Sequence, residues 1–368
     1  MASSLCKQDS APVSHSYQPM FFRLTKVEDQ ERLNSLLAAT EGIFYHDSVY
    51  EQLKELIKIR NPQSRLAEND YKEIIDFHLN NCSMEQYGTW VFYPWSKRLV
   101  HMLDYEEFLE VRTSRNIYKI TPEEQQILIQ KRIGIVGLSV GHAIALTLTT
   151  ERCCGELRLA DFDSLELSNL NRVRTGVHNL GLPKVVIAAR EIMEIDPYLS
   201  VTCFTEGLTE DNLDSFFLHN GKIDLLVEEC DGLDCKIFSR QKARQLGIPV
   251  LMDTNDRGML DIERFDLEPG RALLHGLIEH LEPENLKTLT SAEKVALVVK
   301  ILGDEQISER CRISMSEIGK SITAWPQLAS SVMLGGAMVT DVSRRILLGQ
   351  LHTSGRFYVD LDEIVKNQ

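Results

Sequence analysis

The amino-acid sequence predicts an α/β fold, in which a doubly wound, mostly parallel sheet follows a small α+β domain. Two observations predict it. From Arg132 onward, short runs rich in β-branched residues alternate with helical segments. Before that point, apolar residues recur at helical spacing and are followed by a hairpin pattern. Strands that alternate with helices form a parallel sheet that is covered on both faces.

The first part of the chain predicts a small module that resembles a winged helix. Residues 1–19 are Ser-rich, which predicts a flexible N-terminus. Apolar residues at helical spacing predict three helices between Lys26 and Asn80. The segment 88–103, GTWVFYPWSKRLVHML, predicts two strands around a turn, with another helix from about Tyr105. We therefore assign residues 20–110 to this module.

The second part of the chain predicts five strands of one sheet. They are Arg132 to Val136, Glu156 to Asp161, Ser200 to Thr205, Asp224 to Glu228 and Pro249 to Asp253. Ligands of such sheets bind beyond the carboxyl ends of the strands, where the strand order reverses. Residues 277–320 are helical in pattern and charged, and residues 325–351 predict one long, largely apolar helix.

Composition excludes several functional classes. The chain of 368 residues has a formal net charge of −14 and no basic run, so a nucleic-acid partner is not expected. No apolar run approaches the ~20 residues that cross a bilayer, and the N-terminus has no apolar signal core, which predicts a cytoplasmic protein without a membrane contact. Eight cysteines without a C-x-x-C pair predict reduced thiols rather than a zinc site.

A glycine-containing turn follows the first predicted strand of the sheet. The segment KRIGIVGLSVGHAIALTL places Gly137, Ser139 and Gly141 between a strand and a helix. Glycines allow the backbone to approach a ligand closely, and the N–H groups at a helix start attract anions. The turn therefore indicates phosphate binding, although a purely structural strand-to-helix turn has the same pattern.

Acidic and basic residues after the next strand narrow the choice of ligand. Asp161 lies 24 residues after Gly137, near the ~20 expected for an acid that binds a ribose hydroxyl. This spacing serves NAD and ATP equally. Arg172, in S-N-L-N-R, and Lys184, in G-L-P-K, add two cations. Cations where charge develops on phosphates are needed in phosphoryl or nucleotidyl transfer and have no use in a nicotinamide enzyme.

The motifs D-F-D, S-N-L-N-R and G-L-P-K together resemble the ThiF/MoeB-type adenylyltransferase superfamily, which includes the ubiquitin-activating enzymes. The similarity runs from about Val111 to Asp261. It implies a Rossmann-like adenylation domain over residues 111–368 that uses ATP and Mg²⁺. By resemblance, the ribose lies near Asp161 and Asp163, and the phosphates contact Asn169, Arg172 and Lys184.

Two further positions take their roles from the same resemblance. Asp231, in VEECDG, matches an acidic residue that lies over the α-phosphate and helps to hold Mg²⁺. The alternative for Asp231 is an N-cap of the following helix, a role that is compatible with the first. Arg115 matches an arginine that reaches the nucleotide of the partner subunit, which implies a homodimer. Alternatively, Arg112, Arg115 and Lys119 form only a solvated face.

The sequence also departs from the superfamily pattern. G-L-S-V-G replaces G-x-G-G-x-G, so Ser139 or His142 could donate a side-chain hydrogen bond to the phosphates instead. The cysteine pairs that bind zinc in many relatives are missing, which predicts no structural zinc. Arg310 and Arg312 flank Cys311 and could lower its pKa for a thioester role, although a packed or surface thiol explains Cys311 more simply.

The resemblance implies an enzyme that activates a carboxylate, on a peptide or small protein, as an acyl adenylate. Members that modify ribosomally made peptides, of the pantocin or microcin type, share the architecture of a small domain that docks a leader peptide as an added strand. Residues 20–110 could instead buttress the nucleotide domain or extend a dimer interface. Two other functions stay open, namely a nucleotide-binding scaffold without turnover and an NAD-dependent oxidoreductase.

Overall fold

The computed structural model describes residues 15–278, 290–303 and 306–366. The chain divides into two units. The first ends at Pro122 and includes Asp196–Tyr198, and the second comprises Glu123–Ile195 and the chain from Leu199 onward. Most of the segment predicted to be flexible, residues 1–14, lies outside the described residues. The domain boundary near residue 110 stays a prediction.

The first unit contains the predicted helices and hairpin, together with two short strands that the sequence pattern missed. Its elements are β1 (Met20–Phe22), α1 (Val27–Ala39), β2 (Phe44–Asp47), α2 (Val49–Arg60), α3 (Glu68–Leu79), β3 (Thr89–Tyr93), β4 (Arg98–Met102) and α4 (Tyr105–Thr113). Leu53 and Leu56 of α2 pack with Ile75 and Leu79 of α3, which explains why apolar residues recur there every three or four positions.

The sheet of the first unit has the order β1-β3-β4-β2. β1 pairs with β3 in antiparallel register, whereas β2 lies parallel to β4, with Phe44 opposite Arg98. β2 is therefore an edge strand, and all four of its residues are exposed. Strands of three or four residues without alternation of polar and apolar residues leave little sequence signal, so β1 and β2 were not predicted.

The second unit alternates strands and helices, and each of the five predicted strands is found to within one residue at either end. Its elements are α5 (Pro122–Leu128), β5 (Arg132–Val136), α6 (Gly141–Glu151), β6 (Glu156–Ala160), α7 (Lys184–Ile195), β7 (Ser200–Phe204), α8 (Leu213–Leu218), β8 (Leu225–Glu228), α9 (Leu233–Leu246), β9 (Val250–Thr254), β10 (Met259–Glu263), α10 (Ser291–Leu302), α11 (Glu309–Glu317), α12 (Ala329–Leu347), β11 (Gly355–Tyr358) and α13 (Leu361–Ile364).

The seven strands of the second unit form one sheet in the order β11-β10-β9-β8-β5-β6-β7. The five predicted strands run parallel to one another, and β10 and β11 add antiparallel pairs at one edge. β6 and β8 both pair with β5, so the strand order reverses at β5. The predicted fold class, a mostly parallel doubly wound sheet with a smaller α+β part, is confirmed.

Helix α12 is the long apolar helix of the prediction, and it packs closely on α6. A Cβ atom at Gly336 would lie 3.3 Å from the backbone of Ala143, which shows that the two helices approach tightly there. The residues predicted to be helical between 277 and 320 include α10 and α11, while 279–289 and 304–305 lie outside the described residues. Within the described ranges, no helix combines the length and the apolar character needed to cross a membrane.

Candidate functional site

The turn after β5 keeps glycine at the positions where the fold leaves no room for a side chain. Gly137 has a φ of 86°, and a Cβ atom there would lie 2.6 Å from the carbonyl oxygen of Glu229. At Gly141 a Cβ atom would lie 2.8 Å from Cγ2 of Ile135. The other glycines of the G-x-G-G-x-G pattern are absent, but these two keep the turn tight and the start of α6 close to the strand ends.

Asp161, directly after β6, stabilises this turn through two hydrogen bonds. Its Oδ2 accepts a hydrogen bond from the N–H of Leu138 at 2.6 Å, and its Oδ1 accepts one from the N–H of Asp163 at 2.7 Å. Burial raises the pKa of Asp161. Asp161 thus has a structural role in the loop, and its contact with a ribose stays a prediction.

Lys184 and Asp163 form an ion pair beside the turn. Lys184 is the first residue of α7, and its Nζ lies 2.8 Å from Oδ2 of Asp163. The backbone N–H of Lys184 also donates to the carbonyl oxygen of Asp163, at 2.9 Å. Because the ammonium group is largely buried and Asp163 is exposed, an anionic ligand at this edge could replace the carboxylate as the partner of Lys184.

Arg172 is hydrogen-bonded to the turn after β5. Its Nε donates to Oγ of Ser139 at 2.9 Å, and its Nη1 donates to Oδ1 of Asn171 at 2.9 Å. Burial lowers the pKa of Arg172, and the negative charge of Asp231 opposes that shift. Arg172 is therefore joined to Ser139 of the turn, and Asp231 is near enough for its charge to act on the guanidinium. Asn169 is buried, and its Oδ1 accepts the N–H of Glu166 at 3.0 Å, which shapes the loop that carries Arg172.

Asp231 is exposed between β8 and α9 and does not cap the helix. Gly232 is the N-cap residue of α9, and no side chain makes a capping hydrogen bond there. The N-cap alternative for Asp231 is therefore wrong. A carboxylate that caps no helix and lies near Arg172 is available for a ligand.

Two expectations about side chains near the site are wrong. His142 is 1% exposed, and its Nε2 lies 3.0 Å from Oε2 of Glu191 on α7, so it faces the helix interface rather than the turn. Burial, followed by the charge of Asp256, raises the pKa of Cys311 to about 11, so the possibility that the flanking arginines lower it for a thioester role is wrong, and the simpler packed or surface thiol is favoured. The Cys311 thiol is consequently protonated near neutral pH.

Arg115 lies in the first unit. It is exposed in the short 3-10 turn Ser114–Asn116, and its role toward a partner subunit stays a prediction. Arg112 is not simply part of a solvated face, because its Nε lies 3.8 Å from the buried Oδ2 of Asp196.

A buried ion cluster behind the site was missed by the sequence analysis. The carboxylate of Glu228, the last residue of β8, contacts Nη1 of Arg240 and lies 3.1 Å from Nζ of Lys236. Nε of Arg240 donates to Oε2 of Glu263 at 2.7 Å. Burial alone would raise the pKa of Glu228, but the two cations lower it to about 2. Lys and Arg spaced by four on α9, with an acid at the end of an apolar strand, are the signal that could have indicated this cluster.

A second pair of carboxylates, Glu229 and Asp253, was also missed. Glu229 directly follows β8, Asp253 is the fourth residue of β9, and the N–H of Asp253 donates to Oε1 of Glu229 at 2.8 Å. Burial raises the pKa of Asp253 to about 7. Burial, and then the charge of Asp253, raises the pKa of Glu229. Both line a cavity of about 930 Å³ that also reaches Asp231.

The raised pKa of Asp253 predicts how stability depends on pH. A carboxyl whose pKa rises from about 3.9 in the unfolded chain stabilises the fold fully below pH 4 and loses this contribution as pH rises toward 7. Between pH 5 and 8, the unfolding free energy of wild type should therefore fall by about 2–3 kcal/mol more than that of Asp253→Asn. The measurement is urea unfolding at both pH values. Asp362→Asn, at an exposed position, should follow wild type, and an equal pH dependence of all three proteins would contradict the prediction.

Comparisons with known proteins identify relatives of the chain and a shared fold. The ThiF family matches residues 113–320, more than half of the chain. The uncharacterized protein MT1398 of Mycobacterium tuberculosis (strain CDC 1551 / Oshkosh) is 48% identical over 278 residues, which are 76% of this chain but only 38% of that protein. Molybdopterin-synthase adenylyltransferase of Haemophilus influenzae is 24% identical over 221 residues, 60% of this chain and 89% of that protein. The crystal structure of PaaA shares the fold, with a TM-score of 0.50, 21% identity, and coverage of 85% of this chain and 93% of that one.

Proposed function

Because the chain belongs to the ThiF family, we propose that it is an ATP-dependent adenylyltransferase that activates a substrate carboxylate as an acyl adenylate. The observation that carries this proposal is the grouping of Ser139, Arg172 and Asp231 at the point where the strand order reverses. A tight turn, a fixed cation and an exposed carboxylate are what the transfer of a nucleotidyl group requires.

Arg172 and Lys184 are the groups that would bind the phosphates of ATP. Ser139 holds the guanidinium of Arg172 in place, so little reorganisation is needed when an anion arrives. Lys184 would exchange the exposed Asp163 for a phosphate oxygen. The contacts of Asp161, Asp163 and Asn169 with ATP follow from family resemblance, and Gly137 and Gly141 keep the turn compact.

The residues present fit a magnesium ion that arrives with the nucleotide. Within the described ranges no three His, Cys, Asp or Glu side chains converge to hold a metal by themselves. Mg²⁺, however, is usually bound through one or two carboxylates plus phosphate oxygens, and Asp231 supplies one exposed carboxylate. When bound, the ion would neutralise phosphate charge. The lack of a structural zinc site stays a prediction.

The proposed reaction needs no covalent intermediate with the protein. An oxygen of the substrate carboxylate attacks the α-phosphorus in line, the bond to the β-phosphate oxygen breaks, and pyrophosphate leaves with its electron pair. The chain contributes position and electrostatic stabilisation, through Arg172 and Lys184. We further propose that Arg115 of the partner subunit completes the site in a homodimer.

The proposed substrate is a peptide or small protein, and peptide maturation of the pantocin or microcin type is the favoured setting. The edge strand β2 supports a docking role for the first unit, because an edge strand can pair with an extended peptide. Phe44 and Tyr45 are 68% and 61% exposed on this strand, and Tyr45 lines a cavity of about 510 Å³ together with Leu33 and Trp90.

Substitution of Tyr45 tests the docking role. Tyr45→Ala should raise the KM for a peptide substrate by at least about fivefold, because an exposed aromatic anchor typically supplies 1 kcal/mol or more. The measurement is pyrophosphate exchange at varied peptide concentration. Phe77→Ala, which removes an aromatic side chain that is 87% exposed on α3, is the matched control. Equal KM values for wild type and Tyr45→Ala would argue that the first unit serves another purpose.

The test of the adenylation proposal is ATP–pyrophosphate exchange with wild-type protein, screened over candidate peptides and small-protein tails. Exchange that depends on a carboxylate is expected. ATP binding without exchange for any carboxylate would favour the nucleotide-binding scaffold instead. Binding of a nicotinamide cofactor in preference to ATP would point to the oxidoreductase alternative.

A further inference from the structure

The cavity at the ends of β8 and β9 extends beyond the residues assigned to the nucleotide. Its volume is about 930 Å³, and Asp231 is the one member of the proposed ATP site among its described lining residues. Glu229 and Asp253 lie in the same lining. We propose that Glu229 and Asp253 bind the ammonium group of a primary alkyl amine, the nucleophile that captures the acyl adenylate. This inference rests on the proposed adenylyltransferase function.

Asp253 is a buried carboxylate without a side-chain partner among the described residues. It is 5% exposed, and within the described part of the chain neither of its side-chain oxygens meets a cation or a side-chain donor, although the backbone N–H of Thr254 acts on the carboxylate. A buried charged group without a partner is costly, so such a group is expected to acquire one when a ligand binds. An ammonium group has three N–H donors and a positive charge, which matches two neighbouring carboxylates.

The fold makes room for this carboxylate. Helix α12 passes directly over Asp253 and has Gly335 at that point, where a Cβ atom would lie 2.0 Å from Oδ2 of Asp253. The backbone N–H of Asp253 donates a hydrogen bond to Oε1 of Glu229 at 2.8 Å, which fixes the Glu229 carboxylate relative to Asp253. The pair is therefore built into the ends of two adjacent parallel strands.

The charge of the cavity selects a cation. Its described lining contains eight carboxylates and three basic side chains. Two of the basic side chains are already paired, Lys236 with Glu228 and Arg257 with Asp360. The net negative field would repel a thiolate or another anionic nucleophile and attract a protonated amine. The protonated thiol of Cys311 in the same lining is a poor competitor.

The walls of the cavity favour an alkyl chain behind the ammonium group. Leu233 of α9, Ile301 of α10 and Leu334 of α12 line the cavity with apolar atoms. An alkyl chain of about four carbons, such as that of a lysine side chain, could bury its methylene groups against such walls while its nitrogen reaches the carboxylates.

The capture step balances without another reactant. The ammonium group transfers one proton to Asp253, and the free amine nitrogen attacks the carbonyl carbon of the acyl adenylate. The C–N bond forms, the bond from the carbonyl carbon to the phosphate oxygen breaks, and AMP leaves with that electron pair. The nitrogen releases its second proton to water, which yields an amide and AMP.

Direct binding of n-butylammonium to the full chain tests the amine site. Titration calorimetry near pH 8, at ionic strength matched with sodium chloride, should show binding to wild type and none of butan-1-ol, which has the same chain without the charge. Asp253→Asn should weaken binding of n-butylammonium at least about tenfold. Asp234→Asn, which removes an exposed carboxylate in the first turn of α9 that is not among the lining residues, should bind like wild type.

The outcomes separate this inference from the proposed function. The amine site is overturned if wild type does not bind n-butylammonium, if butan-1-ol binds equally well, or if Asp253→Asn binds n-butylammonium as wild type does. If Asp253→Asn does not fold, Glu229→Gln takes its place. With a carboxylate that supports exchange, n-butylamine should yield the butyl amide and AMP in equal amounts, and AMP without amide overturns the capture role. Amine binding without any ATP–pyrophosphate exchange contradicts the adenylyltransferase proposal and the capture role that rests on it, whereas the amine-binding site itself stands.

Discussion

Asp231→Ala and Lys184→Ala should each reduce ATP–pyrophosphate exchange by at least about a hundredfold, because a fixed group that offsets charge in the transition state commonly contributes 10²–10³ in rate. Asp231 is exposed and makes no cap, so its removal should leave the fold intact. Lys184 is largely buried at the start of α7, and no other described lysine makes its contact with Asp163. The measurement is initial exchange rate at saturating ATP, together with the thermal unfolding temperature of each variant.

The variant Asp234→Ala is the control that distinguishes loss of a group that binds the nucleotide from loss of a surface charge. Asp234→Ala removes an exposed carboxylate in the first turn of α9, three residues from Asp231, and should retain exchange within about threefold of wild type, since surface substitutions usually change little. Full exchange in Asp231→Ala or in Lys184→Ala would show that the grouping at the strand ends does not act on the phosphates.

Arg240→Met should lower the free energy of unfolding by about 3–5 kcal/mol, the usual cost of breaking a buried pair by removing one partner. Arg240 is fully buried, and its guanidinium contacts both Glu228 and Glu263, which are also fully buried. Without Arg240, Glu263 loses its cation and Glu228 keeps only Lys236. The measurement is urea unfolding at pH 7, monitored by circular dichroism.

Arg345→Met is the control for this loss. Arg345 pairs with Asp341 on the surface of α12, where both side chains are about half exposed, and such pairs contribute about 0–1 kcal/mol. The two substitutions are therefore the same in chemistry and differ mainly in how deeply the replaced arginine is buried. Similar losses for Arg240→Met and Arg345→Met would mean that the buried cluster does not stabilise the second unit as its geometry indicates.

The strands of the parallel sheet were predictable because each is a short run of buried residues bounded by turn signals. β5, RIGIV, and β6, ELRLA, are covered on both faces, so each is buried at four of its five positions and most of those positions are apolar, which makes the pattern local. β10 and β11 were missed because β10 contains Asp261 and Glu263, whose charges are satisfied by partners distant in sequence. Arg356 of β11 donates to Asp261 at 2.7 Å, a pairing that no local pattern reveals.

Among the candidate site residues, too, local sequence patterns indicated some features, while others depend on contacts between distant parts of the chain. Gly137, Asp161, Arg172 and Lys184 could be proposed from the sequence because motif spacing encodes which loop follows which strand. The pairing of Asp163 with Lys184 and of Ser139 with Arg172 was not visible, since it depends on how two loops meet. Glu229 and Asp253 resembled ordinary strand ends until the adjacency of β8 and β9 placed them side by side.

The sequence by itself determined the alternation of strands and helices, the turn that opens with Gly137, and the order of cations along the chain, because these properties are local. Tertiary structure alone decided which charges are satisfied. Glu228 has two buried cations, whereas Asp253 lies beneath Gly335 without a side-chain partner among the described residues. Both are acids at the end of an apolar strand, and they differ because burial and pairing depend on neighbours that the fold brings from elsewhere in the chain.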